Sequence, residues 1–218
     1  MVRALARALP CALALSLVAT AAAGAQVVVN GDFESSFPVP PGTFAGFGPG
    51  QSFGGWTVGT GTIDLINGFW QAASGTYSVD LDGSQPGTIF QDLTTTAGST
   101  YSLSFALAGN PYGPPTIKPL DVLWGGALVG TVTFDITGKS ATNMGWQTFT
   151  IGGLVAAGGT TRLEFASGTN GGVWGPALDD VVVSPAAPPS TTAPEPATVG
   201  LVGLGLAMVG AAARRRRA

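Results

Sequence analysis

No histidine occurs among the 218 residues, and the single cysteine is Cys11, close to the N-terminus. Without imidazole there is no Ser-His or Cys-His nucleophile pair and no histidine-liganded zinc. Charge is also scarce, at 10% of the chain. Between residues 26 and 185 no stretch carries apolar residues at three- and four-residue spacing with caps, which excludes a helical domain. Cys11 itself falls within a leader. Arg3 and Arg7 form a charged start, residues 12–19 an alanine- and leucine-rich core, and Ala23-Gly24-Ala25 a small-residue cleavage site. Residues 1–25 are expected to be a signal peptide, with the mature chain starting at Gln26. The exported domain then has neither thiol nor disulfide and must rest on core packing, with metal as the other available staple.

Basic residues are nearly absent from that domain. Eleven acids face only Lys118, Lys139 and Arg162 over residues 26–185, a net charge of −8 that the whole-chain value of −3 conceals. Phosphate backbones would be repelled, which excludes nucleic acid as a partner and favours divalent cations.

What the sequence does have is glycine (34) and proline (16), close to the composition of low-complexity chains. A two-residue period argues instead for order. Tyr77, Val79 and Leu81 alternate with Ser78, Asp80 and Asp82, and Tyr101, Leu103, Phe105 and Leu107 alternate with Ser102, Ser104, Ala106 and Ala108. Further strands are expected at 27–29, 56–58, 62–66, 88–93, 120–124, 128–134, 146–151, 162–165 and 178–184, with Gly, Pro, Asn and Ser clusters between them. Short strands at close intervals predict an all-β fold, an antiparallel β-sandwich with jelly-roll topology over residues 26–185. There is no internal repeat. Residues 186–193 form a Pro-rich linker with nothing to bury.

The C-terminal segment, 194–218, is an address. Pro194-Glu195-Pro196 precedes an uncharged run over 197–213 and then Arg214, Arg215, Arg216 and Arg217. At ~1.5 Å per residue the run spans about 25 Å, enough for a short transmembrane helix, and the arginines resist crossing the bilayer. The pattern resembles the PEP-CTERM sorting signal. That resemblance implies transient residence in the inner membrane, processing by an exosortase-type protease, and release to the cell envelope, the cell surface or the extracellular space. An ordinary single-span anchor is the alternative, although the interrupting glycines 200, 203, 205 and 210 make the run weakly hydrophobic.

The order of Asn30-Gly31-Asp32-Phe33-Glu34, Gly55-Trp56, residues 61–66, residues 77–83, residues 87–91 and residues 101–105 resembles the choice-of-anchor C family. That family is similar to galactose-binding-like modules of plant cell-wall proteins. The resemblance covers about residues 27–183 and implies an extracytoplasmic module without an established reaction. It also implies a structural calcium ion: in sugar-binding jelly rolls the Phe-Glu of the first strand and the Asp of the last often share one. Phe33-Glu34 and Asp179 occupy the matching places here. The rival reading has Glu34 capping a turn and Asp179 paired with Arg162 or a lysine.

Two residue sets could carry chemistry. Asp80 and Asp82 face one side of a strand and would serve a glycosidase if burial raised one pKa, although strand-edge carboxylates are more often solvated or cation-bound. Trp70, Tyr112 and Trp174 lie in glycine-, asparagine- and proline-rich loops, where indole and phenol rings stack on pyranose faces while Asn67 and Gln71 take hydroxyls. Alternatively, these rings cap the core. The expected function is an exported, envelope- or matrix-associated binding or structural module, not an enzyme, with extracellular polysaccharide as its partner. A purely structural matrix protein and a carbohydrate-active enzyme using Asp80 and Asp82 are the alternatives.

Overall fold

Two-residue alternation becomes buried and exposed faces in a computed structural model that describes residues 27–186. The leader, residues 187–193 of the linker, the span expected over 197–213 and the arginine stop lie outside the described residues. Among those described, no helix is long and apolar enough to cross a membrane.

The strands are β1 (Thr43–Phe47), β2 (Ser52–Phe53), β3 (Trp56–Val58), β4 (Ile63–Asn67), β5 (Tyr77–Asp80), β6 (Thr88–Thr94), β7 (Thr100–Gly109), β8 (Ile117–Trp124), β9 (Ala127–Asp135), β10 (Gln147–Val155), β11 (Thr160–Ser167) and β12 (Pro176–Pro185). They form two six-stranded antiparallel sheets, ordered β1-β4-β5-β12-β7-β10 and β2-β3-β6-β11-β8-β9. This is the predicted jelly-roll β-sandwich. Residues 27–29 make no strand, although the Val27 amide donates to the Val183 carbonyl. β1 and β2 were not predicted, because Thr-Phe-Ala-Gly-Phe is an edge strand with little burial and no alternation to read.

One residue of every pair points between the sheets. Leu103, Phe105 and Leu107 of β7, Ile63 and Leu65 of β4, and Leu163 and Phe165 of β11 are all fully buried. Phe105 stacks on Phe149 and meets Phe165 edge-on, and Trp56 touches Phe33 and Phe165. Side chains of this size each gain about 1.5–3 kcal/mol on burial, so a disulfide-free domain of this length has enough core to fold.

The second face of the first sheet is not left to water. A bulge in β12, with Asp180 at φ 48°, breaks the register against β7 between Asp179 and Val182. Asp179 pairs in register with Ala106 and so lies on the outer face, yet it is fully buried. Segments 68–75 and 140–146 close over this face: the Gln71 amide donates to the Ala141 carbonyl, and Trp146 Nε1 donates to the Gln71 carbonyl.

Candidate functional site

Register across β1, β4, β5 and β12 arranges the remainder of that outer face in two rows. Phe44 lies opposite Ile66, and Ile66 opposite Ser78. In the next row Gly46 lies opposite Asp64, Asp64 opposite Asp80, and Asp80 opposite Ala177. Because Ile63, Leu65 and Val79 occupy the core face, the pleat places Asp64 and Asp80 together on the other. They floor an open cleft of about 510 Å³ with Asn110 and Ser84, and its walls are Phe44, Phe69, Trp70, Tyr112, Val173 and Trp174.

The walls form a connected aromatic band. Phe69 is its hub, with ring centroids 5.3 Å from Phe44, 5.5 Å from Tyr112 and 6.2 Å from Trp70. Phe44 and Tyr112 are half exposed. Trp70 is only 3% exposed, and its Nε1 donates to the Ser78 hydroxyl at 2.9 Å. Its indole therefore fills the outer layer of the sheet and shows the cleft little surface, leaving the free ring area to Phe69, Phe44, Tyr112 and the half-buried Trp174. Trp174 packs so closely on the turn at Gly113 that a Cβ there would lie 2.4 Å from the indole.

Beneath the floor lies a buried polar knot. Asp80 accepts hydrogen bonds from the Asp82 and Gly175 amides at 3.0 and 3.1 Å and from Asn110 Nδ2 at 2.7 Å. Burial nonetheless pushes its carboxyl up to about 8. Asp82 accepts from the Thr169 hydroxyl at 2.6 Å through one oxygen, while the other, Oδ1, is buried without a partner among the described residues. Desolvation raises its pKa as well. Lys118 is fully buried, and its ammonium donates to the carbonyls of Gly113 and Trp174 at 2.8 and 2.5 Å. Burial lowers the ammonium pKa to about 8, against the pull of Asp80 and Asp82. A cation and two acids are thus tied beneath the loops that carry Tyr112 and Trp174. Gly175 is required here, since a Cβ would lie 2.6 Å from Asp82 Cγ and 2.7 Å from Asp80 Oδ1.

The expectation that Asp80 and Asp82 are solvated strand-edge acids is therefore corrected: both are buried. Asp82 is also sealed from the cleft, so the two carboxyls do not flank a common substrate bond. Asp64 differs from both. It is half-buried, accepts no hydrogen bond among the described residues, and is raised to about 6 by burial alone.

Among the other expected residues, Asn67 is buried away from the cleft and donates through Nδ2 to the Val39 carbonyl and the Tyr77 hydroxyl. Gln71 is exposed and lines a shallower hollow with Gly68, Phe69, Trp70, Ala141 and Thr142. Glu34 and Asp179 both hold the 73–77 loop. Glu34 Oε1 accepts from the Thr76 and Tyr77 amides, each at 2.7 Å, and Oε2 from the Thr76 hydroxyl at 3.3 Å. Asp179 accepts from the Ala73 and Ser74 amides through Oδ2, at 2.9 and 3.4 Å, and from the Asp180 amide through Oδ1 at 2.7 Å. Backbone amides thus face three of the four oxygens and the Thr76 hydroxyl faces the fourth, where a calcium cage would need further oxygens. The described residues contain no group of three or more acids placed to hold a metal. Arg162 is committed to Asp92, through two bonds of 2.8 and 2.9 Å, so it does not pair with Asp179. Phe44 and Asp64 were not foreseen as site residues. Phe69-Trp70 and Asn110 carried a loop signal, whereas Phe44 and Asp64 become neighbours only through strand pairing.

Residues 26–184 match the family described as "Protein of unknown function (DUF642)", and residues 192–217 match the PEP-CTERM protein-sorting motif. The sorting motif directs export to the cell surface or extracellular space. Halomucin of Haloquadratum walsbyi is 39% identical over 57 residues, which is 26% of this chain and 1% of Halomucin. Among solved structures, a family 35 carbohydrate-binding module from Clostridium thermocellum is 17% identical, covering 59% of this chain and 90% of its own, with a TM-score of 0.43. The CBM22-1 xylan-binding domain of Paenibacillus barcinonensis Xyn10C is 15% identical, covering 78% and 99%, with a TM-score of 0.49.

Proposed function

The chain belongs to the DUF642 family, and from that premise we propose that it is an exported glycan-binding module whose site is the cleft on the outer face of the first sheet. One observation carries the reading: Phe44, Phe69 and Tyr112 present a contiguous, solvent-facing aromatic band beside Asp64, Asp80 and Asn110. Pyranose rings have an apolar face for such a band and hydroxyls for carboxylate and amide oxygens. An open cleft of this kind admits an internal stretch of polymer, which suits extracellular polysaccharide. Calorimetric titration of the exported protein against a panel of polysaccharides tests the reading. Binding that weakens several-fold in Tyr112→Ala and Phe69→Ala, with melting little changed, supports it. Absence of binding across neutral, acidic and amino polysaccharides would leave a purely structural matrix role.

The tail fits the same destination. An exosortase-type protease would remove the segment after about Pro196, separating the module from the membrane. Intact-mass analysis of the exported protein reads this directly, and recovery of full-length C-termini from the envelope would make the tail a retained anchor.

A further inference from the structure

Resting on the glycan-binding reading, we propose that the cleft selects amino sugars, polysaccharide units with a free, protonated amine in place of an N-acetyl group. Three arrangements support this. First, Asp64 lies in the cleft with no hydrogen-bond donor or cation beside it among the described residues, and its neighbour on β1, Gly46, contributes no side chain. Second, Asp80 stands opposite Asp64 in register and also lines the cleft, so two carboxyl groups converge on one spot. Third, among the described residues no cation lines the cleft beside Asp64. Lys118 lies under the floor, where it acts on Asp80 and Asp82 and donates to the carbonyls of Gly113 and Trp174, and Arg162 is held by Asp92 on the second sheet.

A carboxylate without a donor in a partly apolar cleft is costly, and a ligand that brings positive charge relieves that cost more than one that brings a hydroxyl. The aromatic band acts in the same direction. Phe44 and Phe69 are partly exposed rings lining the cleft, and the negative quadrupole of an aromatic ring face attracts a cation as well as a pyranose face. An N-acetyl group has no charge to offer and adds bulk. A uronic acid would bring a further negative charge beside Asp64 in a domain already at −8 and is disfavoured.

The test is calorimetric titration of the exported protein at about pH 6.5, where an amine is still charged. Four probes of equal length are compared: a glucosamine oligomer, its N-acetylated form, a neutral glucose oligomer and a galacturonate oligomer. The expected result is affinity for the glucosamine oligomer at least about tenfold above the neutral one, and galacturonate weakest of all. In Asp64→Asn the ratio of glucosamine to neutral affinity should fall toward one. Salt offers a check that needs no variant, since a charge-based preference in an open cleft shrinks as ionic strength rises. Equal or tighter binding of the neutral or N-acetylated oligomer, or a preference indifferent to salt, overturns the amino-sugar assignment and leaves glycan binding standing. No binding by any of the four overturns both.

Discussion

Two groups of carboxylates in this domain are treated oppositely. At one end, every oxygen of Glu34 and Asp179 accepts a hydrogen bond, three of the four from backbone amides and Glu34 Oε2 from the Thr76 hydroxyl, and the pair pins the loop 73–77 against the sheet. At the cleft, among the described residues, Asp82 beneath the floor keeps one buried oxygen without a donor and Asp64 in the floor receives no hydrogen bond. Satisfied carboxylates are part of the architecture, because removing one strands the amides it served. Unsatisfied ones destabilise the free protein, and Asp64, which lines the cleft while Asp82 is sealed from it, has something to gain from a ligand. Charge alone does not separate the two groups; the placement of donors does.

The sharpest way to break the comparison is to remove a satisfied member. Asp179→Ala leaves the Ala73 and Asp180 amides without their acceptor in a buried place, at a cost of about 3 kcal/mol or more. A melting temperature lowered by about 6–12 °C is expected. Gly75→Ala should act on the same clamp through Glu34, since Gly75 sits at φ 55° and a Cβ there would lie 2.2 Å from Oε1. If both variants melt like the parent, the clamp is not structural.

The acids under the cleft give the next largest effect, through pH. Burial raises Asp80 to about 8 and Asp64 to about 6, and Asp179 rises to about 7 despite its amides. Each folded-state pKa lies above the ordinary carboxyl value, so folding takes up protons. Their stabilising contribution is complete below about pH 4 and is lost as pH rises through 6 to 8. Thermal melts at pH 5 and pH 8 should differ by at least about 3 °C in favour of pH 5. Asp80→Asn should flatten that difference, and a protein more stable at pH 8 would contradict the assignment.

A smaller effect on stability is expected at the cleft walls. Tyr112→Ala and Phe69→Ala remove partly exposed rings and should cost no more than about 1 kcal/mol of folding while each weakens glycan binding several-fold, at ~0.5–1.5 kcal/mol per ring. Trp70→Ala should do the reverse. Its indole is buried and hydrogen-bonded to Ser78, so folding suffers more than binding.

Period-two alternation made the sandwich legible in the sequence, because strands such as β7 bury every second residue whatever their partners. The sorting tail was legible for a different reason: its signal is local, a Pro-Glu-Pro, an uncharged run and arginines in one stretch. The cleft is neither local nor periodic. Asp64 and Asp80 are sixteen positions apart and meet by register, and Phe44 comes from an edge strand with no alternation. Tyr112 stood out as a loop aromatic, but the same rule selected Trp70, whose loop folds back over the sheet and buries it. Loop position says that a ring can be exposed; only the path of the loop decides whether it is.

The smallest expected effect concerns calcium, and it bears most directly on the satisfied group. The family resemblance assigns Glu34 and Asp179 a shared ion, whereas the hydrogen bonds give both the backbone of one loop. These alternatives make opposite demands on the same oxygens. A calcium ion needs six to eight oxygen ligands at ~2.3–2.6 Å, and an amide hydrogen pointing at a carboxylate oxygen competes with the ion for that oxygen's lone pairs. With at least one N–H or O–H directed at each of the four oxygens, the loop has already supplied the positive charge density that a cation would bring. Binding would require residues 73–77 to swing away and give up those bonds, so little free energy would remain to stabilise the fold by linkage. The exported protein should therefore melt within about 1 °C in excess calcium and in chelator. An increase of several degrees in calcium, abolished in Glu34→Gln and Asp179→Asn, would show that the ion displaces the loop and that the two carboxylate groups differ less than their hydrogen bonds imply.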